Sequence, residues 1–408
     1  VGTHADRPLL VYVHIPFCSS KCHFCDWVTE IPTSELLLKE HDTARARYVD
    51  ALCRQIRQTG RELTAAGYRP AIHYWGGGTA SILGETEIMR IGEALHSVLD
   101  LSDLREATIE CSPETVSPAK LKAFREIGFF RMSSGVQSFD DDRLRRLGRA
   151  HRADGARRVF QLAAEAGFRD LNIDLMCGFP EEELAEVERT VRTALELPVT
   201  HVSYYPFRPA YGTVMRKQLR RGDHVILRDE QKQAYRLGAG LLEEHGHPEY
   251  AFSHFGRRRC HSDLAYFRLE MDWVGFGAGA ASLLGGEYVA SPRGRLAAFN
   301  RDPFAGAERD PVASASVAPR LMYQSLTTFE GALVRNWEER AGRPFDQITA
   351  IPAVRSLLRF LETAGGLRRD ADGLRMPRER IADAFIDLQF ASAPDEGKRA
   401  RGAAAVYG

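Results

Sequence analysis

This chain of 408 residues lacks an excess of charge of either sign: Lys+Arg and Asp+Glu both total 55, so the formal net charge is zero. That balance argues against a general binder of nucleic acid or of membrane surfaces. No uninterrupted apolar run is long enough to span a bilayer. The opening stretch, VGTHADRPLL, has no apolar core of a secretory leader. A cytoplasmic protein with neither membrane nor nucleic acid among its partners is expected. No repeat of fixed period stands out. Cysteine is scarce, with 7 in the whole chain. Cys53, Cys111, Cys177 and Cys260 are scattered singly, as inert core thiols are.

What is present is alternation. Short β-like runs at 9–14, 71–75, 106–111, 131–136, 171–176 and 201–205 alternate with longer helical patterns. These patterns lie at 43–67, 84–99, 117–127, 153–166, 181–195 and 228–245. Strand–helix units in series imply a parallel sheet with right-handed crossovers. The expected fold is α/β: a partial (β/α)6 barrel of the TIM type over 1–285, then a smaller α-rich C-terminal domain over 286–391. Within the latter, helices are expected at 318–341, 350–364 and 378–391, with a small hairpin before the last. The polar, small-residue tail 392–408 reads as mobile.

The remaining cysteines, Cys18, Cys22 and Cys25, form C-x3-C-x2-C on the loop after the first strand. Three thiolates at this spacing suit three irons of a cubane, leaving the fourth iron open to a small molecule. A zinc site would need His14 or His23 as its fourth ligand, and a redox thiol is the remaining alternative. Other chemistry-bearing residues fall at the C-terminal ends of the expected strands, where barrel active sites are built. Gly76, Gly77 and Gly78 follow the second strand, and their plainer reading is a tight turn. Glu110 ends the third strand, and Gln137 follows the fourth. Arg149 lies in the basic run RLRRLGRAHR, whose plainer reading is a solvated helix face. Asp174 interrupts an apolar run, where a carboxylate needs a partner or a function.

C-x3-C-x2-C resembles the signature of the radical S-adenosylmethionine (SAM) superfamily. The fuller string YVHIPFCSSKCHFC is similar to the subgroup containing oxygen-independent coproporphyrinogen oxidase. WGGGTAS, GVQSF, RLGRAH and IDLMCGFP resemble later motifs of that subgroup, in the same order, so the likeness covers about 10–285. It implies a [4Fe-4S] cluster on Cys18, Cys22 and Cys25, with SAM on the open iron. It also implies an electron donor such as flavodoxin or ferredoxin. Tyr12, Gly77, Gly78, Glu110, Gln137, Arg149 and Asp174 match SAM-contacting positions. Thr79 continues the glycine stretch, and Phe24 is placed to stack on the adenine. The segment VGFGAGAAS (274–282) is implied to line a second SAM site, with Phe267, Arg268 and Ala281 as candidates.

Members of the subgroup differ in detail. The oxidase keeps a further cysteine where this chain has Trp27, which argues against porphyrinogen decarboxylation. The haem chaperones carry HN-x-x-YW where this chain has His261, Ser262, Tyr266 and Phe267, so His261 or Cys260 is a candidate axial ligand. CHFCDW and YYPFRPAYGTVM (204–215) look closest to the class C radical SAM methyltransferases and cyclopropanases. In that reading Tyr205 and Arg208, with Tyr211, cradle a planar small-molecule substrate. Two SAM molecules would deliver a methyl or methylene group to an sp2 carbon of a heteroaromatic natural product. Glu249, Tyr250 and His254 are candidate bases by position only. The class C reading is the expectation carried forward, with the haem chaperone as its alternative.

Overall fold

In the strand β1 (Arg7–Ile15), Leu9, Val11, Val13 and Ile15 are fully buried on one face, while Tyr12 and His14 alternate with them on the other. That period-2 division recurs in every neighbouring strand and sets the architecture. The computed structural model describes residues 7–25, 35–292 and 296–391. The tail 392–408 and Trp27 lie outside the described residues.

The six expected strands are β1, β2 (Tyr68–Gly77), β3 (Glu106–Cys111), β4 (Arg131–Gln137), β5 (Asp170–Cys177) and β6 (His201–Pro206), all parallel. Between and after them run α1 (Glu35–Ala65), α2 (Glu85–His96), α3 (Pro118–Glu126), α4 (Asp141–Arg146), α5 (Ala153–Glu165), α6 (Leu184–Leu195), α7 (Val214–Arg221) and α8 (Arg228–Glu244). The crossover helices bury one apolar stripe. In α5 it is Ala156, Val159, Phe160 and Ala163, at helical spacing, each side chain of Val or Phe size contributing about 1.5–3 kcal/mol. Local caps mark the ends: the Ser117 side chain accepts from the Lys120 amide with Pro118 at the first helical position.

The sheet then continues in ways the periodicity does not show. β7 (Glu249–Ala251) and β8 (His254–Gly256) form an antiparallel hairpin edge beside β6. After α9 (His261–Phe267), β9 (Asp272–Phe276) returns to the opposite flank and pairs in parallel with β1, Leu10 opposite Trp273. The stretch DWVGF is thus a seventh parallel strand, and the glycine-rich run after it is the turn at its C-terminal end. β10 (Ala281–Leu284), β11 (Glu287–Ala290) and β12 (Glu308–Pro311) extend the sheet, so it runs on past residue 285 to give the order β12-β11-β10-β9-β1-β2-β3-β4-β5-β6-β8-β7.

The helical remainder comprises α10 (Leu296–Arg301), α11 (Ala318–Leu326), α12 (Val334–Ala341), α13 (Phe345–Thr349), α14 (Pro352–Gly365) and α15 (Arg378–Ala391). A three-stranded sheet of β13 (Ala332–Leu333), β14 (Arg368–Arg369) and β15 (Gly373–Arg375) lies among them. The single helix expected over 318–341 is two. At Gly331 φ is +75° and an added Cβ would meet the Leu374 carbonyl at 2.0 Å, so the chain turns there instead of continuing. α15 docks on α8, where Lys232 meets Asp387 at 2.6 Å and Arg236 meets Asp383. Among the described residues no helix is long and apolar enough to cross a membrane.

Candidate functional site

The inner face of the curved sheet is polar along much of its length. The registers put Tyr12, Tyr74, Thr108 and Arg131 in one layer, and His14, Gly76, Glu110, Ser133, Asn172 and His201 in positions leading from it. Parallel strands usually carry apolar residues on both faces. A polar inner face therefore marks a place where side chains serve something other than packing.

The cysteine loop leaves β1 at the C-terminal end of the sheet. Two chain segments hold it: the His23 amide donates to the Leu147 carbonyl at 2.8 Å, and the Met215 amide donates to the His23 carbonyl at 2.9 Å. Arg149 Nη1 donates to Cys22 Sγ at 3.1 Å, and Thr79 Oγ1 to Cys18 Sγ at 3.6 Å. Donors aimed at sulfur suit thiolates. Among the described residues no three His, Cys, Asp or Glu side chains converge as the ligands of one metal ion do. The two zinc candidates are turned elsewhere: His14 Nδ1 lies 3.0 Å from Tyr12 Oη, and His23 Nδ1 lies 2.8 Å from the Arg146 carbonyl. The donor set fits a cubane spread over three thiolates better than a single zinc.

The glycines at the end of β2 are required by close approach. Gly77 has φ +109°, and a Cβ there would meet the His14 ring at 2.4 Å. At Gly78 a Cβ would meet the Phe17 carbonyl at 2.6 Å. The Gly77 amide donates to Glu110 Oε2 at 3.1 Å, and Tyr74 Oη donates to Glu110 Oε1. Burial, reinforced by the charge of Asp174, pushes the Glu110 carboxyl up to about 7 despite those bonds. Burial likewise pushes Asp174 up to about 6, while Asn172 donates to it at 2.7 Å. Gln137 sits at φ +73°, at the register shift between β4 and β5, and accepts from Tyr205 Oη at 2.9 Å. Arg149 also donates to the Gly135 carbonyl, and its buried Nε has no partner.

Two adjoining cavities open here. The first, about 360 Å³, is lined by Tyr12, Gly77, Glu110, Phe267 and Ala281 from the expected set. Tyr74, Asp263, Trp273, Arg320 and Gln324, which the sequence reading passed over, also line it, as do His14 and Tyr266. The second, about 280 Å³, is lined by Glu110, Asp174 and Tyr205 together with Arg131, His254 and Asp263. Alternation on the strands could have flagged Tyr74 and Arg131, which share a face with Gly76 and Gly135. Nothing local points to Arg320.

Four expected residues lie elsewhere. Phe24 packs edge-on against Phe207, at 6.4 Å between ring centroids, in a small apolar cluster with Leu147 and Met176. Arg268 is engaged by Glu270 at 3.3 Å and Glu330 at 3.5 Å and lines neither cavity. Arg208 follows β6 in a loop and lines neither cavity, and Tyr211 is 75% exposed. Of the candidate bases, Glu249 accepts from Tyr235 at 2.5 Å, and Tyr250 Oη lies 2.7 Å from His201 Nε2. Only His254 reaches a cavity, with Nδ1 3.6 Å from Asp263 and burial lowering its pKa. At the start of α9, His261 is exposed, whereas Cys260 is buried against Ser262 and Glu106 with its thiol pushed up by burial. Cys260 is therefore a core thiol, and His261 alone of that pair can meet a large ligand.

The chain matches the profile of the Radical SAM superfamily over residues 12–194. It is 32% identical over 283 residues to the heme chaperone HemW of Bacillus subtilis, covering 67% of this chain and 71% of that protein. It is 31% identical over 294 residues to the heme chaperone HemW of Escherichia coli, covering 71% and 72%. In fold it superposes on Escherichia coli coproporphyrinogen III oxidase, a radical SAM enzyme, with a TM-score of 0.72 at 23% identity, over 94% of this chain and 90% of that one. The chain belongs to the radical SAM superfamily. Within it, the chain falls in the coproporphyrinogen oxidase-like subgroup. Its cofactors are accordingly a [4Fe-4S] cluster and SAM, and proteins of this kind work with a small molecule and an electron donor.

These relatives overturn the class C methyltransferase or cyclopropanase expectation, since bacterial proteins matched over two thirds of the chain or more are heme chaperones. The physical reason lies in the segment on which that expectation leaned. Tyr205 is tied to Gln137, while Arg208 and Tyr211 do not face either cavity, so 204–215 forms no aromatic cradle.

Proposed function

We propose that this protein binds haem and hands it on, using a radical SAM frame. The observation that carries the reading is the likeness to heme chaperones at 30–32% identity over about 70% of the chain. His261 supports it: an exposed imidazole at the start of α9 is accessible to a flat, bulky ligand and can serve as an axial donor. It lies at the base of the sheet, since its amide donates to Glu106 at the start of β3, a strand's length from the cysteine loop.

In this reading Cys18, Cys22 and Cys25 hold the cluster, which when bound supplies one-electron chemistry to SAM. Gly77 and Gly78 let the backbone approach SAM closely, and Glu110, Gln137, Arg149 and Asp174 surround its polar groups. Near neutral pH Glu110 is divided between its two protonation forms, so it can donate as well as accept a hydrogen bond. Thr79, just after β2, steadies the loop through Cys18, and Tyr12 borders the cavity from β1.

The test is titration of the reconstituted protein with haem. Wild type is expected to give a saturable Soret shift at one equivalent, and His261→Ala to weaken it about tenfold or more. Absence of a saturable shift in wild type would remove the reading.

A further inference from the structure

Arg320 lies in the first turn of α11 and is 8% exposed, with its side chain against the larger cavity. A guanidinium keeps its charge at any accessible pH, so burying it without an anion is costly. The Tyr288 ring covers it, 4.5 Å from the ring centroid, and hydrogen-bonds it. Yet neither Nε nor Nη2 has a hydrogen-bond partner. These two nitrogens share one edge of the planar fork, the edge that grips a carboxylate through two parallel bonds.

The acids lining the same cavity are engaged elsewhere: Glu110 takes Tyr74 and the Gly77 amide, and Asp263 faces His254 at 3.6 Å. One turn along α11, Gln324 also lines the cavity, and its buried Oε1 has no partner. Tyr266, Phe267 and Trp273 supply an aromatic wall, Tyr266 and Trp273 meeting edge to face at 4.8 Å.

We propose that Arg320 and Gln324 form an anchoring subsite for a carboxylate-bearing small molecule held in this cavity. Arg320 takes the carboxylate side-on, and Gln324 takes a polar group next to it. The apolar body of the ligand lies along Tyr266 and Trp273. The anchor is supplied by the C-terminal helices, so the cavity is complete only when they have docked on the sheet. The subsite does not depend on the haem reading, because His261 does not line this cavity. Two kinds of molecule carry the required group: an amino acid-bearing nucleoside such as SAM, or a tetrapyrrole with propionate side chains.

The experiment uses the full reconstituted protein and three probes, S-adenosylhomocysteine, haem and haem dimethyl ester, titrated into wild type, Arg320→Met, Arg320→Lys and Gln324→Leu. For one of the acidic probes, affinity is expected to fall about tenfold or more in Arg320→Met. In Arg320→Lys, which restores charge without the fork, it should fall by less. A loss confined to S-adenosylhomocysteine assigns an amino acid carboxylate. A loss for haem that the dimethyl ester does not share assigns a propionate. Gln324→Leu should weaken the same probe about threefold, and it carries the test with Arg320→Lys should Arg320→Met fail to fold. Unchanged affinity for both acidic probes in folded Arg320 variants, or no binding of either to wild type, overturns the proposal.

Discussion

Glu106 and Glu110 lie on the same strand, β3, four residues apart and facing the same way, yet their surroundings are opposite in kind. Glu106, at the base, is 2% exposed and filled with donors: Thr108 Oγ1 at 2.9 Å, the His261 amide at 2.6 Å, and the Ser262 amide and hydroxyl at 3.3 and 2.7 Å. Around it, Arg131 reaches Asp170 at 3.7 Å and His201 at 3.5 Å, and His201 in turn meets Tyr250. This is a closed polar plug that fixes the start of α9. Glu110, at the opposite end, accepts only from Tyr74 and Gly77 among the described residues, and it lines both cavities. A carboxylate with every lone pair taken is structural. One left on a cavity wall with its charge disfavoured is available for a ligand.

The contrast can be broken at either end. Glu106→Leu strands several buried donors and removes the acid facing Arg131. It is expected to cost about 3–5 kcal/mol, read as a lowered urea midpoint, with iron content intact in whatever folds. A loss below about 1 kcal/mol would mean the base is not a plug. Glu110→Gln should act through pH. The Glu110 carboxyl rises from an ordinary value near 4.5 to about 7 in the fold, so the folded state holds the extra proton between those limits. The Glu110 share of the resulting loss of stability as pH rises from about 4.5 to 7 is about 3 kcal/mol at most, and Glu182, Glu249 and Asp174, also raised by burial, add losses of the same sign. The glutamine variant should lack the Glu110 part of that slope, and denaturation curves that stay parallel across this range would refute it. Tyr205→Phe removes one hydrogen bond to Gln137 and should cost only about 1 kcal/mol, with no change in pH dependence.

Much of this was legible in the sequence. All six expected strands occur within a few residues of their placement, because each is a short run with apolar residues at alternate positions, as Ala107, Ile109 and Cys111 are in β3. Glu110, Gln137 and Asp174 stood out because a polar residue at a strand end, or inside an apolar run, has no packing explanation. The illegible parts depend on distant partners. DWVGF became a strand because β1 offers it an open edge, and nothing within the five residues says so. Arg268 and Arg320 look alike in the sequence. Glu330 claims the first, and the second is left facing the cavity. Glu106 was passed over because most of its donors come from residues 261–262, more than 150 positions away.

The pairing of β1 with β9 also has a consequence for how the protein is made. The cysteine loop is anchored on a strand that gains its second neighbour only when residues 272–276 have been synthesised. At about 5–20 residues per second, that neighbour emerges roughly 13–50 s after β1 itself. For that interval the cysteines hang from a strand with one edge bare, within reach of whatever loads them with iron and sulfide. Pairing with β9, some 250 residues downstream, then fixes β1 on both edges and with it the root of the cysteine loop.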